Sequence, residues 1–318
     1  MTDRRKIILL VVFAVVLAVL MLVLGLNSFI WRYALSRRIP RLIAIILTGS
    51  AIAASTVVFQ TITQNRILTP SIMGLDSLYL FVQTTTVFVL GSQSVLMTNA
   101  TLNFLISGGL MIGATLLLFR ILLSGKEDAS LFHLLLVGVI MGTLFDSGAS
   151  FMQMVIDPNE FQAVQNRMFA SFNNVQTNVL LPGGILLVVT LIYIARQTQV
   201  LDVLALGRDH ALNLGVPYEK VTGRLLVAVA LLVSTSTALV GPVTFLGLLI
   251  ANLAREALRT YEHRYLLPMA TLMGIVALLG GQLIVERVMN LSTPISVIIN
   301  FIGGVYFISM LLRARTVN

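Results

Sequence analysis

Apolar residues run through this sequence in long blocks, and the interruptions between them are short and hold most of its Lys, Arg and Asn. A helix needs about 20 mainly apolar residues to cross the ~30 Å hydrocarbon core of a bilayer. Ten segments meet or approach that length. They are Ile7–Leu26, Leu42–Phe59, Ile72–Leu90, Leu102–Leu123, Leu131–Ile156, Val179–Ala195, Val221–Val240, Pro242–Ala254, Leu266–Val285 and Pro294–Leu312. The blocks are continuous and lack the ten-residue alternation of a barrel strand, so the expected spans are helices, which satisfy their own backbone polar groups in lipid. The eighth block is short. It opens on Gly241-Pro242, which reads as a helix start with proline at the first helical position. The first block follows Arg4, Arg5 and Lys6 but is too long for a signal-peptide core. No small-residue cleavage site follows at Asn27, Ser28 and Phe29, so it is expected to be a retained span.

Composition agrees with this pattern. The chain has 318 residues, 57% hydrophobic and 11% charged, and its mean hydropathy is +0.96. A soluble domain carries roughly 25% charged residues, so the soluble and disordered classes are excluded. The expectation is an all-α, polytopic membrane protein with a single transmembrane domain over residues 1–318. The net charge of +8 points to topology and not to nucleic acid, because the basic residues are scattered between apolar runs. With ten spans and a cytoplasmic N-terminus, only Arg32, Arg37, Arg38, Arg41, Arg167 and Arg287 fall outside. The other fifteen of the 21 Lys and Arg fall inside, as the positive-inside rule requires. Both termini are then cytoplasmic. Arg32–Arg41 breaks the rule locally. Either it anchors at the interface beside Trp31 and Tyr33, or it docks an acidic partner outside the membrane.

Candidate chemistry is sparse. There is no cysteine, hence no disulfide or thiolate site. Gly125-Lys126-Glu127 lacks the earlier glycine of a phosphate loop. His133, His210 and His263 fall in three separate loops or helix ends, which is not the spacing of a metal cage. No HExxH or GxSxG occurs. Ionisable residues inside spans are functional candidates because burying them is costly. Asp76 lies near a span end, where the helix dipole favours it. Gly142, Asp146, Ser150, Gln153 and Asp157 share one face of the fifth span at helical spacing. That face lines a water-accessible path or forms a helix–helix seam. Asp157–Asn178 is rich in amides (Asn159, Gln162, Gln165, Asn166, Asn173, Asn174) and is expected to be an external loop or short helix near the mouth of the path. The longest inside loop, 197–220, is too apolar for a linker. Gly207 and Gly215-Val216-Pro217 bracket Arg208–Leu214, which predicts two short helices joined by a turn. They suit a groove on a soluble partner, or the membrane interface.

Five stretches in order carry a resemblance. They are Arg38-Ile39-Pro40-Arg41; Gln60 with Asn65-Arg66-Ile67-Leu68-Thr69-Pro70-Ser71-Ile72-Met73-Gly74; Leu204-Ala205-Leu206-Gly207 with Ala211 and Leu214-Gly215; Gly241-Pro242-Val243-Thr244-Phe245-Leu246-Gly247-Leu248; and Gly303 with Phe307. From about Arg38 to its end the chain resembles the iron–siderophore permease family of ABC importers, which includes the vitamin B12 importer's membrane subunit. It departs from the family pattern at Arg66 (usually Pro), at Ala251-Asn252 (usually Pro-His) and at Val305 (usually Pro). NRILTPSIMGLDSLY is similar to a subset linked to catecholate-type siderophores such as petrobactin and enterobactin, whose permeases are often heterodimers.

The resemblance implies a ten-helix permease of type II ABC importer architecture, in a bacterial cytoplasmic membrane, with the substrate path at a dimer interface. It implies a second permease subunit, two cytoplasmic ATPase subunits carrying ATP and Mg²⁺, and an external binding protein that delivers the ferric siderophore. The chain itself would hold no cofactor and catalyse nothing. Arg38, Arg41 and, as a weaker match, Arg287 would dock the binding protein. Leu204, Leu206, Gly207, Ala211, Leu214 and Gly215 would couple to the ATPase. Asp146, Ser150, Gln153 and Gln60 are the path candidates. Haem, cobalamin and molybdate are alternative substrates. An ion-coupled carrier using Asp146 and an intramembrane enzyme are alternatives of other classes.

Overall fold

The computed structural model describes residues 3–25, 31–123, 131–173, 175–291 and 293–315. Asn27–Phe29, Gly125-Lys126-Glu127 and Asn174 lie outside the described residues, as do the side chains of Arg120, His133, Arg313 and Arg315. Among the described residues the chain forms α1 (Asp3–Val23), α2 (Trp31–Ile62), α3 (Leu75–Leu90), α4 (Val95–Thr98), α5 (Ala100–Leu123), α6 (Leu131–Val155), α7 (Pro158–Met168), α8 (Thr177–Ala195), α9 (Thr198–Leu204), α10 (Arg208–Asn213), α11 (Tyr218–Val240), α12 (Leu246–Ala257), α13 (His263–Arg287) and α14 (Ile295–Arg315). Each of the ten apolar blocks coincides with a helix. Six of them, α1, α2, α5, α8, α11 and α13, are long and apolar enough to cross a membrane by length and composition, and Leu75–Leu90 and Ile295–Ser309 are shorter apolar helices.

Three expected boundaries are corrected. Helix α2 begins at Trp31, not Leu42, so the outer arginines lie on a helix that runs through Pro40. The third span does not start at Ile72. Pro70–Met73 is a turn of 3-10 helix, and Gly74, at φ +78, separates it from α3. Pro242 does not open a helix, because α12 starts four residues later, at Leu246. Gly241 at φ +97 instead ends α11, its N–H donating to Thr237 O. A Cβ there would also sit 3.0 Å from Ala170 Cα, so this glycine serves both the turn and a close chain passage.

The centre of the bundle is α2, packed against α13, α11, α12 and α8. Two-thirds of its apolar window is buried, as in α11, while only 11% of α1's is. Residues Ile8, Leu9, Val12 and Phe13 leave α1 apolar on its outward side, as a lipid-facing helix requires. Helices α2 and α13 cross at Gly49 and Gly274, where a Cβ on Gly274 would lie 2.6 Å from Gly49 O and 3.4 Å from Ala53 Cβ. Small residues four apart on one helix facing a glycine on the other are what such contact needs.

Long-range bonds sort the basic residues onto two opposite ends. At one end Lys6 Nζ donates to Ala257 O and Arg259 N to Asp3 Oδ1, beside the 197–220 segment. Arg38, Arg41 and Arg287 gather at the other. Lys6 and Arg259 therefore share one end of the bundle, and Arg38, Arg41 and Arg287 the other.

Candidate functional site

The 197–220 segment folds as expected into two short helices. Gly207, at φ +99, separates α9 from α10 and is open on the side where a Cβ would point. Gly215, at φ +81, ends α10 with Val216 N donating to Ala211 O at 3.0 Å and Gly215 N to Leu212 O at 3.0 Å, a helix-ending pattern that satisfies the last carbonyls. The apolar residues of this segment divide by burial. Leu201, Leu204 and Ala211 are buried and hold the pair to the bundle, whereas Leu206, Leu212 and Leu214 are exposed. Arg208 donates to Glu219 Oε1 at 3.0 Å. That bond holds the Arg208 guanidinium above its ordinary value. The pair is exposed and fixes α10 only weakly.

Two side chains fasten α9 to the central helices. Gln64 Nε2, past the end of α2, donates to Leu204 O at 2.8 Å. Asp202 Oδ1 accepts from the backbone N–H of His263 and faces its Nδ1, both at 2.7 Å. His263 is buried, and its Nε2 lies 2.8 Å from Thr61 Oγ1. The carboxylate places a proton on Nδ1, and Nε2 faces a threonine hydroxyl whose single proton is shared with Val57 O, also at 2.8 Å. One imidazole thus joins α2, α9 and α13. This makes His263 a structural residue. Among the described residues no group of three His, Cys, Asp or Glu could hold a metal ion.

Beside this joint lies a cavity of about 650 Å³, lined by Gln60, Arg66, Ala205, Leu206, Arg255 and His263 among others. Gln60 is buried here. Its Nε2 donates to Arg66 O at 2.6 Å and its Oε1 accepts from Arg255. Asn252 Nδ2 also donates to Arg66 O at 3.1 Å. Two departures from the family pattern, Arg66 and Asn252, thus meet in space, and no local sequence signal links them.

At the opposite end Arg38 and Arg41 are largely covered. Their side chains are 13% and 14% exposed and share Glu286, at 4.0 and 3.2 Å. Arg287 reaches the same carboxylate at 3.8 Å. Arg38 Nη1 also donates to Leu22 O at 2.7 Å and Leu24 O at 2.8 Å, satisfying carbonyls left open at the end of α1. Arg287 donates to Leu24 O as well. Arg32 and Arg37 instead lie over the Trp31 and Tyr33 rings, the arrangement of an interfacial anchor. Sequence reasoning missed Glu286. The signal available was an acidic residue adjoining Arg287 in a chain with only 13 acids.

The polar stripe of α6 packs along α3. Gly142 touches Gly74, with a Cβ on Gly142 only 3.0 Å from Gly74 Cα. Asp146 Oδ2 accepts from Ser77 Oγ at 2.8 Å, and Gln153 Nε2 donates to Thr84 Oγ1 at 3.3 Å. Asp146 and Ser150 remain exposed beside this seam. Leu144, Phe151, Met154 and Val155 form an exposed apolar face on the same helix. Gln60 does not join the stripe; it belongs to the cavity beside the 197–220 segment. Asp76 sits in the first turn of α3 and accepts from Thr244 Oγ1 at 3.3 Å.

Comparison with known proteins places this architecture. The FecCD transport family pattern matches residues 6–313. The chain is 54% identical over 313 residues to the petrobactin import system permease protein YclO of Bacillus subtilis, covering 98% of each. It is 38% identical to the petrobactin import system permease protein FatC of Bacillus anthracis, covering 88% of this chain and 78% of that one. Its fold matches a solved metal-chelate type ABC transporter in an inward-facing conformation with a TM-score of 0.82 at 24% identity, covering 98% of this chain and 99% of that one.

Proposed function

From the premise that this chain belongs to the FecCD transport family, we propose that it is the membrane-spanning permease subunit of an ATP-driven importer of a ferric siderophore of the petrobactin type. The relatives at 54% and 38% identity, both named as petrobactin import permeases, support the substrate. The observation that carries the mechanism is the Gly207-hinged helix pair. It is fastened to α2 and α13 and exposes Leu206, Leu212 and Leu214. Its buried residues anchor it, and its exposed leucines form the surface offered to a soluble partner. In this reading the face meets one of two cytoplasmic ATPase subunits, which bind ATP and Mg²⁺. Both termini are then cytoplasmic, in a bacterial inner membrane. A second, different permease chain completes the path, and an external binding protein docks on Arg38, Arg41 and Arg287.

Helices α2 and α13 join the two ends. At 32 and 25 residues they are about 48 and 38 Å long, and they carry Thr61 and His263 at one end and Arg41 and Glu286 at the other. ATP binding shifts such a pair only if the ATPase contacts α9 and α10 differently in two states.

The decisive experiment uses the complete transporter in proteoliposomes. Wild type is expected to take up ferric petrobactin only with ATP. Gly207→Val forces a β-branched residue into φ +99 and is expected to leave ATPase activity while cutting uptake about tenfold or more. Uptake that survives an inactive ATPase and collapses with an ion gradient would favour a carrier centred on Asp146.

The path assignment is tested separately. The chain lacks cysteine, so single cysteines report cleanly. Ser150→Cys is expected to react with a membrane-impermeant thiol reagent, and Phe151→Cys is not. The reverse order would make the stripe a dry seam.

A further inference from the structure

A cavity of about 770 Å³ opens at the end that holds the Arg38–Arg41–Glu286 cluster, and nothing above uses it. Helix α7, the loop after it, the start of α5, the end of α11 with Gly241, and Leu291, Thr293 and Pro294 wall it in. Its volume is within the ~300–1,000 Å³ of small-molecule sites. Arg167 is the one charged residue among those lining it. Among the described residues no carboxylate pairs with this guanidinium; its neighbours are the Tyr79 hydroxyl and Asn103 Oδ1, the latter at 3.5 Å. Asn103 is already committed, exchanging bonds of 3.1 and 3.2 Å with buried Gln83. A guanidinium has five N–H donors in a planar fork, so these two neutral neighbours leave donors to spare on a residue that lines the cavity. Around it Gln162, Gln165, Asn166 and Gln176 contribute exposed side-chain amides. Amides both donate and accept, so this wall suits a ligand rich in oxygen.

A half-buried cation without a counter-charge is costly, and its fork geometry matches a bidentate oxyanion. We infer that this cavity is a recognition site for an anionic, oxygen-rich arm of the transported chelate, with ionised carboxylate or catecholate oxygens on Arg167 and neutral oxygens on the amides. It is a recess within one subunit, apart from the α6 stripe, and holds the chelate on the outer side before it enters the path. The inference rests on the import reading above. Arg167 also occupies the last turn of α7, where any cation complements the helix dipole. Lysine preserves that role but not the fork.

The test is retention of radiolabelled ferric petrobactin by the purified permease–ATPase complex without binding protein. Wild type is expected to bind it, more weakly as salt rises. Arg167→Gln should weaken binding about tenfold or more and Arg167→Lys several-fold, with Arg167→Lys retaining the wild-type melting temperature. If Arg167→Gln does not fold, the doubly substituted Gln165→Leu/Asn166→Leu should show a several-fold loss. No binding by wild type, or equal binding by the Arg167 and amide variants, overturns the inference. ATP-driven uptake by wild type is measured in parallel; its absence overturns the import reading instead.

Discussion

Gly274→Val is expected to destabilise the bundle by about 3 kcal/mol or more, the upper end of overpacking costs, and to abolish uptake. The added Cβ would stand 2.6 Å from Gly49 O and 3.1 Å from Gly49 C. Both are backbone atoms, so no side chain can rotate away, and the α2 and α13 axes must separate. These helices fasten α9 at one end through Thr61 and His263 and bear the arginine cluster at the other. Gly280→Val on the same helix is the control, because a Cβ there meets nothing within 4 Å. Thermal melting of the purified complex separates the two. A Gly274→Val protein that melts with wild type would show that the crossing is not tight.

The second large effect is expected at Glu286, whose carboxylate faces three guanidiniums at 3.2, 3.8 and 4.0 Å. Glu286→Gln leaves them without a counter-charge. The loss is set at about 2 kcal/mol, below the 3–5 of a fully buried broken pair, because these side chains keep some solvent access. The same substitution bears on the proposed docking role. Freed from Glu286, Arg38 and Arg41 should capture an acidic binding protein more tightly at low salt, and Arg38→Glu with Arg41→Glu should capture it less. A pull-down with loaded binding protein reads both. Unchanged capture in both variants removes the docking role and leaves these arginines as the cap on α1.

Much of this was legible in the residues. The ten apolar blocks each became a helix, and Gly207 and Gly215-Val216-Pro217 bracketed a short helix where expected. Local pattern misled where one residue type has two uses. Gly241-Pro242 signals a helix start in isolation, yet Gly241 closes the preceding helix. By charge alone Arg32 to Arg41 forms one cluster, and the family resemblance singles out Arg38 and Arg41. The structure turns those two onto Glu286 and leaves Arg32 and Arg37 over aromatic rings.

By itself, then, the sequence determined the membrane class and the helices, because hydropathy and helical period act over about twenty residues. Only the tertiary structure decided which charges are spent and which are free. Arg41 meets Glu286 from 245 residues away, Arg255 meets Gln60 from 195 and Arg167 meets Asn103 from 64. The balance of burial and pairing that makes a guanidinium a cap or a binding site depends on such contacts. No local pattern encodes them.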